Sequence, residues 1–289
     1  MQLLELLHFG QTELQGVGVP EHALDARLLL QYCTGKTRSG IFLDGDCPVA
    51  LEIIASYQRL LERRKKREPL AYIVGEQEFW SLSFAVNPDV LIPRPETEFL
   101  VDRVLALVEP QNLQKGHILD LCCGSGVIAT VLAKEISRTI IAADISYQAL
   151  QVTKHNARRH HLESLLMPVQ GDLLAPFGSA EFSLIVTNPP YVSSFDVANT
   201  LQPEVARYEP HLALDGGERG LELIQRIRRA LPAVLCPGGQ CFIEIGADQG
   251  REIEQLFTEN NGGRRDFDQV DILIDYAGRD RVVHLRRAY

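Results

Sequence analysis

His117-Ile118-Leu119-Asp120-Leu121-Cys122-Cys123-Gly124-Ser125-Gly126 is an apolar run that breaks into small residues, and Val127 to Ile136 behind it has helical spacing. Strand, tight turn and helix in that order are the opening unit of an α/β sheet. Working outward, Thr139 to Ala143 reads as a strand and Tyr147 to His160 as a helix. Leu166 to Gln170 and Phe182 to Thr187 read as strands, Gly220 to Leu235 as a helix and Gln240 to Ile245 as a strand. Such alternation predicts a parallel sheet with helices on both faces. The tail breaks the rhythm: Val270 to Asp275 and Arg281 to Leu285, joined by Ala277-Gly278-Arg279-Asp280, predict an antiparallel pair.

Upstream the pattern is helical. The Leu3-Leu4-Leu7 cluster, Ala23 to Tyr32 and Val49 to Lys66 have helical apolar spacing, with Gly16, Gly18-Val19-Pro20, Gly35 and Asp44-Gly45-Asp46 as breaks. Residues 1–75 are therefore expected to form a small helical domain that selects the partner. Arg63-Arg64-Lys65-Lys66-Arg67 closes its last long helix, where positive charge suits the macrodipole; a solvated terminus or a contact to an acidic partner would both fit. Residues 76–98 read as a hairpin around Glu78 to Val86 and then a proline-rich connection, Leu91-Ile92-Pro93-Arg94-Pro95-Glu96-Thr97-Glu98. Prolines on both sides of Arg94 restrict the backbone and can hold its guanidinium beside a site. Residues 99–289 are expected to form the larger, catalytic domain.

The chain has 289 residues, 45% of them hydrophobic and 23% charged, enough for a full core. No stretch approaches the ~20 apolar residues of a membrane span, and the first 20 residues lack the build of a signal peptide. A cytoplasmic protein with no membrane partner is expected. The net charge of -9 argues against broad wrapping of a nucleic-acid backbone, so no direct nucleic-acid binding is expected. Six cysteines, Cys33, Cys47, Cys122, Cys123, Cys236 and Cys241, show no spacing suited to zinc and read as reduced thiols, with no metal site.

Three strand ends carry residues suited to a nucleoside. The turn Asp120 to Gly126 lets backbone approach a ligand at a helix N-terminus. Asp144, 24 residues beyond Asp120, ends the second strand, where a carboxylate can accept from both ribose hydroxyls. Gly171-Asp172-Leu173 ends the third, with an acid for an adenine amino group and an apolar cover for the ring. Together they fit adenosine.

The fourth strand ends in Asn188-Pro189-Pro190-Tyr191, which suits transfer to a planar, weakly nucleophilic nitrogen. Its lone pair is delocalised, so it needs orientation. The Asn188 side-chain oxygen and the Pro189 carbonyl can each accept one N–H, Pro190 has no N–H to compete, and both rings fix φ. Tyr191 offers a ring face to a flat group. A primary amide and an aromatic amino group would be served equally.

Over nearly its full length the chain resembles the release-factor glutamine methyltransferases, the HemK/PrmC family. The stretches that carry this are Arg67 to Ile73, Leu91 to Glu98, the Asp120 to Gly126 turn, Asn188 to Tyr191, Glu209-Pro210 with Ala213 to Gly217, Glu244-Ile245-Gly246 and Ala277 to Arg281. For the fold the resemblance implies a Rossmann-like class I methyltransferase domain, a mostly parallel seven-stranded sheet with an antiparallel C-terminal strand, behind a helical N-terminal domain. For chemistry it implies S-adenosyl-L-methionine as methyl donor and, as substrate, the side-chain amide of the glutamine in the Gly-Gly-Gln loop of class 1 peptide release factors. Asn188, Pro189, Pro190 and Tyr191 match its glutamine-binding motif, and Asp120, Cys122, Cys123, Gly124, Ser125, Gly126, Asp144, Asp172, Leu173 and Asn188 stand at or beside its cofactor contacts. Arg94 falls in a family stretch near the active site. Family members often carry Gly where this chain has Cys122. Alternatives on the same motif are a ribosomal-protein glutamine methyltransferase and an adenine-N6 nucleic-acid methyltransferase. The internal Gly238-Gly239-Gln240 reads as a turn before a strand, not a methylation site.

Overall fold

A computed structural model describes residues 1–108, 113, 116–258 and 265–289. They cluster into two compact units, Met1–Glu76 with Gln202–Tyr208, and Gln77–Leu201 with Glu209–Tyr289. From Gln77 on, the stretch expected to be a separate connection therefore groups with the larger unit.

The first unit is built from α1 (Leu3–Gly16), α2 (His22–Thr34), α3 (Arg38–Leu43), α4 (Leu51–Lys65) and α5 (Leu70–Val74). Leu3, Leu6, Leu7 and Leu14 recur at helical spacing on α1 and are buried against Leu29, Leu30 and Tyr57. Tyr57 comes so close to α1 that a Cβ on Gly10 would lie 1.9 Å from its hydroxyl, which donates to the Ala26 carbonyl at 3.0 Å. The basic run closing α4 meets acids of its own unit instead of ending in solvent. Arg64 is buried and reaches Asp25 at 2.7 Å and Glu204 at 2.9 Å; Arg67 reaches Glu204 at 2.7 Å and Arg63 reaches Glu68 at 2.5 Å.

The larger unit begins with a hairpin, β1 (Glu76–Phe79) and β2 (Leu82–Ala85). The supposed connection then turns into α6 (Pro95–Leu107), with Pro95 in the first turn, where its missing N–H costs nothing. Next come β3 (His117–Leu121), α7 (Val127–Ile136), β4 (Ile140–Asp144), α8 (Tyr147–Arg159), β5 (Leu166–Gln170) and β6 (Phe182–Thr187), all within a residue of the expected bounds. A short helix, α9 (Ser194–Asn199), follows; α10 (Pro203–Tyr208) belongs to the first unit, and the larger unit resumes with α11 (Glu222–Val234), β7 (Leu235–Glu244), α12 (Gly250–Thr258), β8 (Phe267–Ile274) and β9 (Asp280–Arg287).

The sheet order is β5-β4-β3-β6-β7-β9-β8. β3 to β7 pair in parallel, β9 runs antiparallel to β7, and β8 antiparallel to β9. Alternation along the strands sorts two cores. Ile118, Leu184, Val186 and Phe242 face α6, α7 and α8, whereas Leu119, Ile185, Cys241 and Ile243 face α11 and α12. Parity puts Asp120 and Glu244 on the first of these faces. β7 starts five residues earlier than expected, and its register shifts between Phe182 and Leu184 of its neighbour, so Gly238-Gly239 form a bulge within the strand rather than a turn before it. Gln240 is buried with its Oε1 2.8 Å from His284 Nε2, which removes it from any methylation chemistry.

Candidate active site

Parallel strands leave unpaired carbonyls and diverging turns at their carboxyl ends, and ligands collect where successive crossovers go opposite ways from one strand. Here that strand is β3, flanked by β4 and β6. A cavity of about 230 Å³ lies there, and its lining includes Cys122, Cys123, Gly124, Ser125, Asp144, Asp172, Leu173, Asn188 and Pro190, together with Arg94 and Thr97. Residues drawn from five sequence stretches thus meet at one place.

The turn after β3 is held from beneath by α8. Thr153 Oγ1 donates to the Gly124 carbonyl at 2.9 Å, and Asn156 Nδ2 donates to the Ser125 carbonyl at 2.9 Å. Asn156 also exchanges hydrogen bonds with both backbone groups of Ala85, so one buried amide ties the turn to the hairpin. These two residues escaped the sequence reading. Their signal is a polar pair three apart on the buried face of an amphipathic helix.

Asp144 lies at the cavity wall with each oxygen accepting one backbone N–H, Oδ2 from Gly124 and Oδ1 from Ser146, both at 2.9 Å. Burial raises its pKa and the N–H groups of Ser146 and Gly124 oppose that. Asp120 behaves differently from the expectation of a ligand contact. It is fully buried, does not line the cavity, and accepts the Ala129 N–H through Oδ2 at 2.9 Å, so it anchors the first turn of α7. Burial pushes its pKa up to about 8. Gly126 likewise lies off the cavity: it precedes α7 at φ 78°, and a Cβ there would meet Thr153 at 2.7 Å. Asp172 lines the cavity but its carboxylate is paired with Arg226 at 2.6 Å.

Cys122 has φ 61° and Leu173 φ 48°. Both are non-glycine residues in the left-handed region, at a cost of about 1 to 2 kcal/mol each. That conformation explains why Gly suits the Cys122 position.

The Asn188 to Tyr191 turn is set by its neighbours. Asn188 Nδ2 donates to Thr97 Oγ1 at 3.1 Å, and Thr97 is buried in the first turn of α6. The Tyr191 carbonyl accepts from Gln249 Nε2 at 3.0 Å, and Val192 exchanges backbone hydrogen bonds with Leu214 and Gly216. A Cβ on Gly216 would lie 2.7 Å from the Pro190 carbonyl oxygen, so the Ala213 to Gly217 stretch forms the bed of the turn. Asn188 and Pro190 line the cavity. Pro189 is buried beside it, and Tyr191 turns its hydroxyl to Glu244 Oε1 at 3.1 Å. Arg94 donates to Glu209 Oε1 at 2.5 Å while Oε2 of the same buried carboxylate accepts the Ile92 N–H, which fixes the guanidinium at the wall.

Sequence comparison places the site in a known group. The family profile described as PrmC N-terminal domain matches residues 5–75, and that described as Methyltransferase small domain matches residues 97–219. A release factor glutamine methyltransferase of Caulobacter vibrioides is 38% identical across 94% of this chain and 92% of its own length. That of Geobacter sulfurreducens is 39% identical across 92% and 90%, and that of Clostridium botulinum 36% identical across 99% and 100%. The chain belongs to the release factor glutamine methyltransferase family. Among solved structures, a methyltransferase from Pyrococcus furiosus superposes with a TM-score of 0.52 at 13% identity, covering 81% of this chain and all of its own, which is a likeness of fold.

Membership in the release factor glutamine methyltransferase family makes the protein an S-adenosylmethionine-dependent enzyme, and the cavity fits that donor. Gly124 lines it, and a Cβ built there meets nothing within 4 Å, so the room a side chain would take stays open to a ligand. Asp144 at the end of β4, apolar Ile145 and Leu173, and the two strained backbone positions, Cys122 and Leu173, line the same cavity, which suits a ligand with one polar and one apolar side. Among the described residues no cluster of His, Cys, Asp and Glu could hold a metal ion, and no helix is long and apolar enough to cross a membrane.

Proposed function

We propose that the enzyme methylates the side-chain amide nitrogen, N5, of the glutamine in the Gly-Gly-Gln loop of class 1 peptide release factors. The observation that carries this is the state of Asn188. Its Nδ2 is engaged by Thr97, and its Oδ1 accepts no hydrogen bond from the described residues. An acceptor is therefore left at the cavity wall for an incoming N–H. A carboxamide substrate offers two such hydrogens; we assign one to Asn188 Oδ1 and the other to the Pro189 carbonyl, which aims the nitrogen lone pair.

When bound, S-adenosylmethionine supplies an electrophilic methyl group on a sulfonium. The chain's own residues hold the amide, fix its plane and keep water away. Asp144 and the Cys122 to Ser125 turn are assigned to the nucleoside, with Leu173 over its ring. Arg94, locked by Glu209, is assigned to the substrate side. Tyr191, tied down through its hydroxyl, is assigned to holding the turn. The methylated nitrogen is strongly acidic, so it sheds its proton to water or a hydrogen-bonded acceptor without a dedicated base. Residues 1–75 are assigned to selecting the release factor, and a cytoplasmic location follows from such a substrate.

The test is transfer of label from S-adenosylmethionine to a purified release factor, to the same factor with Gln→Ala in its loop, to ribosomal protein and to DNA. Label on the first alone is expected. Equal labelling of the Ala variant, or label confined to nucleic acid, would sink the proposal.

A further inference from the structure

Glu244 is the one fully buried carboxylate beneath the substrate turn, and neither fold nor cofactor explains it. It ends β7 with no exposed surface. Its Oε1 accepts from the Tyr191 hydroxyl, whereas Oε2 is buried without a well-formed hydrogen bond among the described residues. An acid left in this state at a strand end is costly unless it serves something.

The geometry points to Glu244 as a positioning residue for methyl transfer: it accepts the Thr97 hydroxyl hydrogen and so sets which way the Asn188 carboxamide faces, while fixing Tyr191 through the other oxygen. This rests on the assignment of Asn188 Oδ1 to the substrate amide. The chain of reasoning is one of hydrogens. Thr97 Oγ1 receives an N–H from Asn188, so its single hydrogen must point elsewhere. The Thr97 and Tyr191 hydroxyls both favour the charged form of the Glu244 carboxyl. Tyr191 makes the well-formed hydrogen bond, to Oε1, and the uncommitted Thr97 hydrogen is assigned to the orphaned Oε2. A carboxylate can take both hydroxyl hydrogens at once. With both hydroxyls committed as donors, Asn188 can meet Thr97 only with its NH₂ end, which leaves Oδ1 to the cavity. Were Thr97 free to donate to Asn188 Oδ1, the amide could flip and present two hydrogens to a substrate that needs acceptors.

The protonation state matters for the same reason. A protonated Glu244 carries its own hydrogen and loses one acceptor position, so Thr97 is released to donate to Asn188. Burial is the main influence on Glu244 and raises its pKa to about 7; Thr97, Tyr191 and Arg281 of β9 pull it down, and Glu96 of α6 pushes it up. Arg281 is itself held by Asp275 at 3.1 Å. The organised form of the site is therefore present above about pH 7 and is lost as pH falls below it.

Glu244→Gln keeps the shape and removes the charge. Expected for this variant are an unchanged cofactor Kd, a kcat toward the release factor lower by roughly 10- to 100-fold, and loss of the acid limb that the wild type shows near pH 7. A Tm at pH 8 no lower than the wild type's would separate this from unfolding, because the variant no longer buries a charge. Thr97→Val gives a second route: it should lower kcat alone, and adding Glu244→Gln to it should cost much less than Glu244→Gln costs by itself. Wild-type kcat and an unchanged acid limb in Glu244→Gln, or fully multiplicative losses in the double variant, would overturn the role of Glu244. Failure of the wild type to label the release factor at all would instead overturn the substrate assignment beneath it.

Discussion

Two hydrogens and one oxygen decide what the Asn188 side chain can do, and Thr97 has already claimed the nitrogen end. Asn188→Ala removes the remaining acceptor and leaves the cofactor cradle standing. Turnover should fall by the equivalent of ~2 to 4 kcal/mol at the barrier while the cofactor Kd shifts little, measured by single-turnover labelling and titration. Unchanged turnover would take Asn188 out of the mechanism. At this scale the sequence was informative about place: Asp144, Leu173 and Asn188 were expected at strand ends, and all three line the cavity there. It was misleading at Asp120, because an acid that caps a helix from below and an acid that faces a ligand occupy the same kind of turn. It was silent on the link between Thr97 and Glu244, since residues 147 apart share no local pattern.

At the scale of elements, the alternation from β3 to β6 could be read almost to the residue because β3 and β6 are buried apolar runs and the helices between them carry apolar residues at helical spacing. α6 was missed because Pro93 and Pro95 look like loop residues, although a proline in the first turn starts a helix as readily as it ends one. The hairpin's role was also hidden: its tie to the cofactor turn runs through Asn156 on α8, a contact that only the packed sheet creates. The loop carrying Gly216 shows how elements govern the site without touching a ligand. A Cβ there would strike the Pro190 carbonyl, the Gly220 carbonyl and the Tyr191 Cα, all within 2.9 Å. Gly216→Ala should therefore displace the turn, reducing turnover by at least about tenfold and stability by ~1 to 3 kcal/mol, with the cofactor Kd nearly intact. Urea unfolding and steady-state kinetics would measure both. Full activity in this variant would mean that the turn tolerates a shift of that size.

For the whole molecule, buried acids pull stability in opposite directions with pH. Asp120 and Glu244 have pKa values raised above those of an unfolded chain, to about 8 and about 7. The folded state then binds more protons between about pH 4 and 8, so their contribution falls as pH rises through that window. Glu204 has the opposite sign: burial works against its charge, yet hydrogen bonds from Arg67 and Arg64 win and hold its carboxyl below the usual range. Its contribution is present above pH 4.5 and is lost as pH falls. Glu204→Gln should lower Tm at pH 7 by about 2 to 4 °C, the shift that ~1 kcal/mol makes in a protein of this size, and the difference should close toward pH 4. A gap that widens in acid would contradict the ion-pair account. None of this was visible in the net charge of -9, which counts acids without saying what they face.

Glu204 also bears on how such proteins can be rearranged. It belongs to a stretch, Gln202–Tyr208, that groups with the helical unit although 125 residues of the larger unit, Gln77–Leu201, separate it from Glu76 in the chain. The helical unit is thus not one continuous block of chain. A recombination joint placed at residue 76 would separate Arg64 and Arg67 from the Glu204 with which they pair. Chimeras of this chain that keep the short stretch with the helical unit should be more stable than those that split the two, so shuffling calls for two crossover regions where the linear map suggests one.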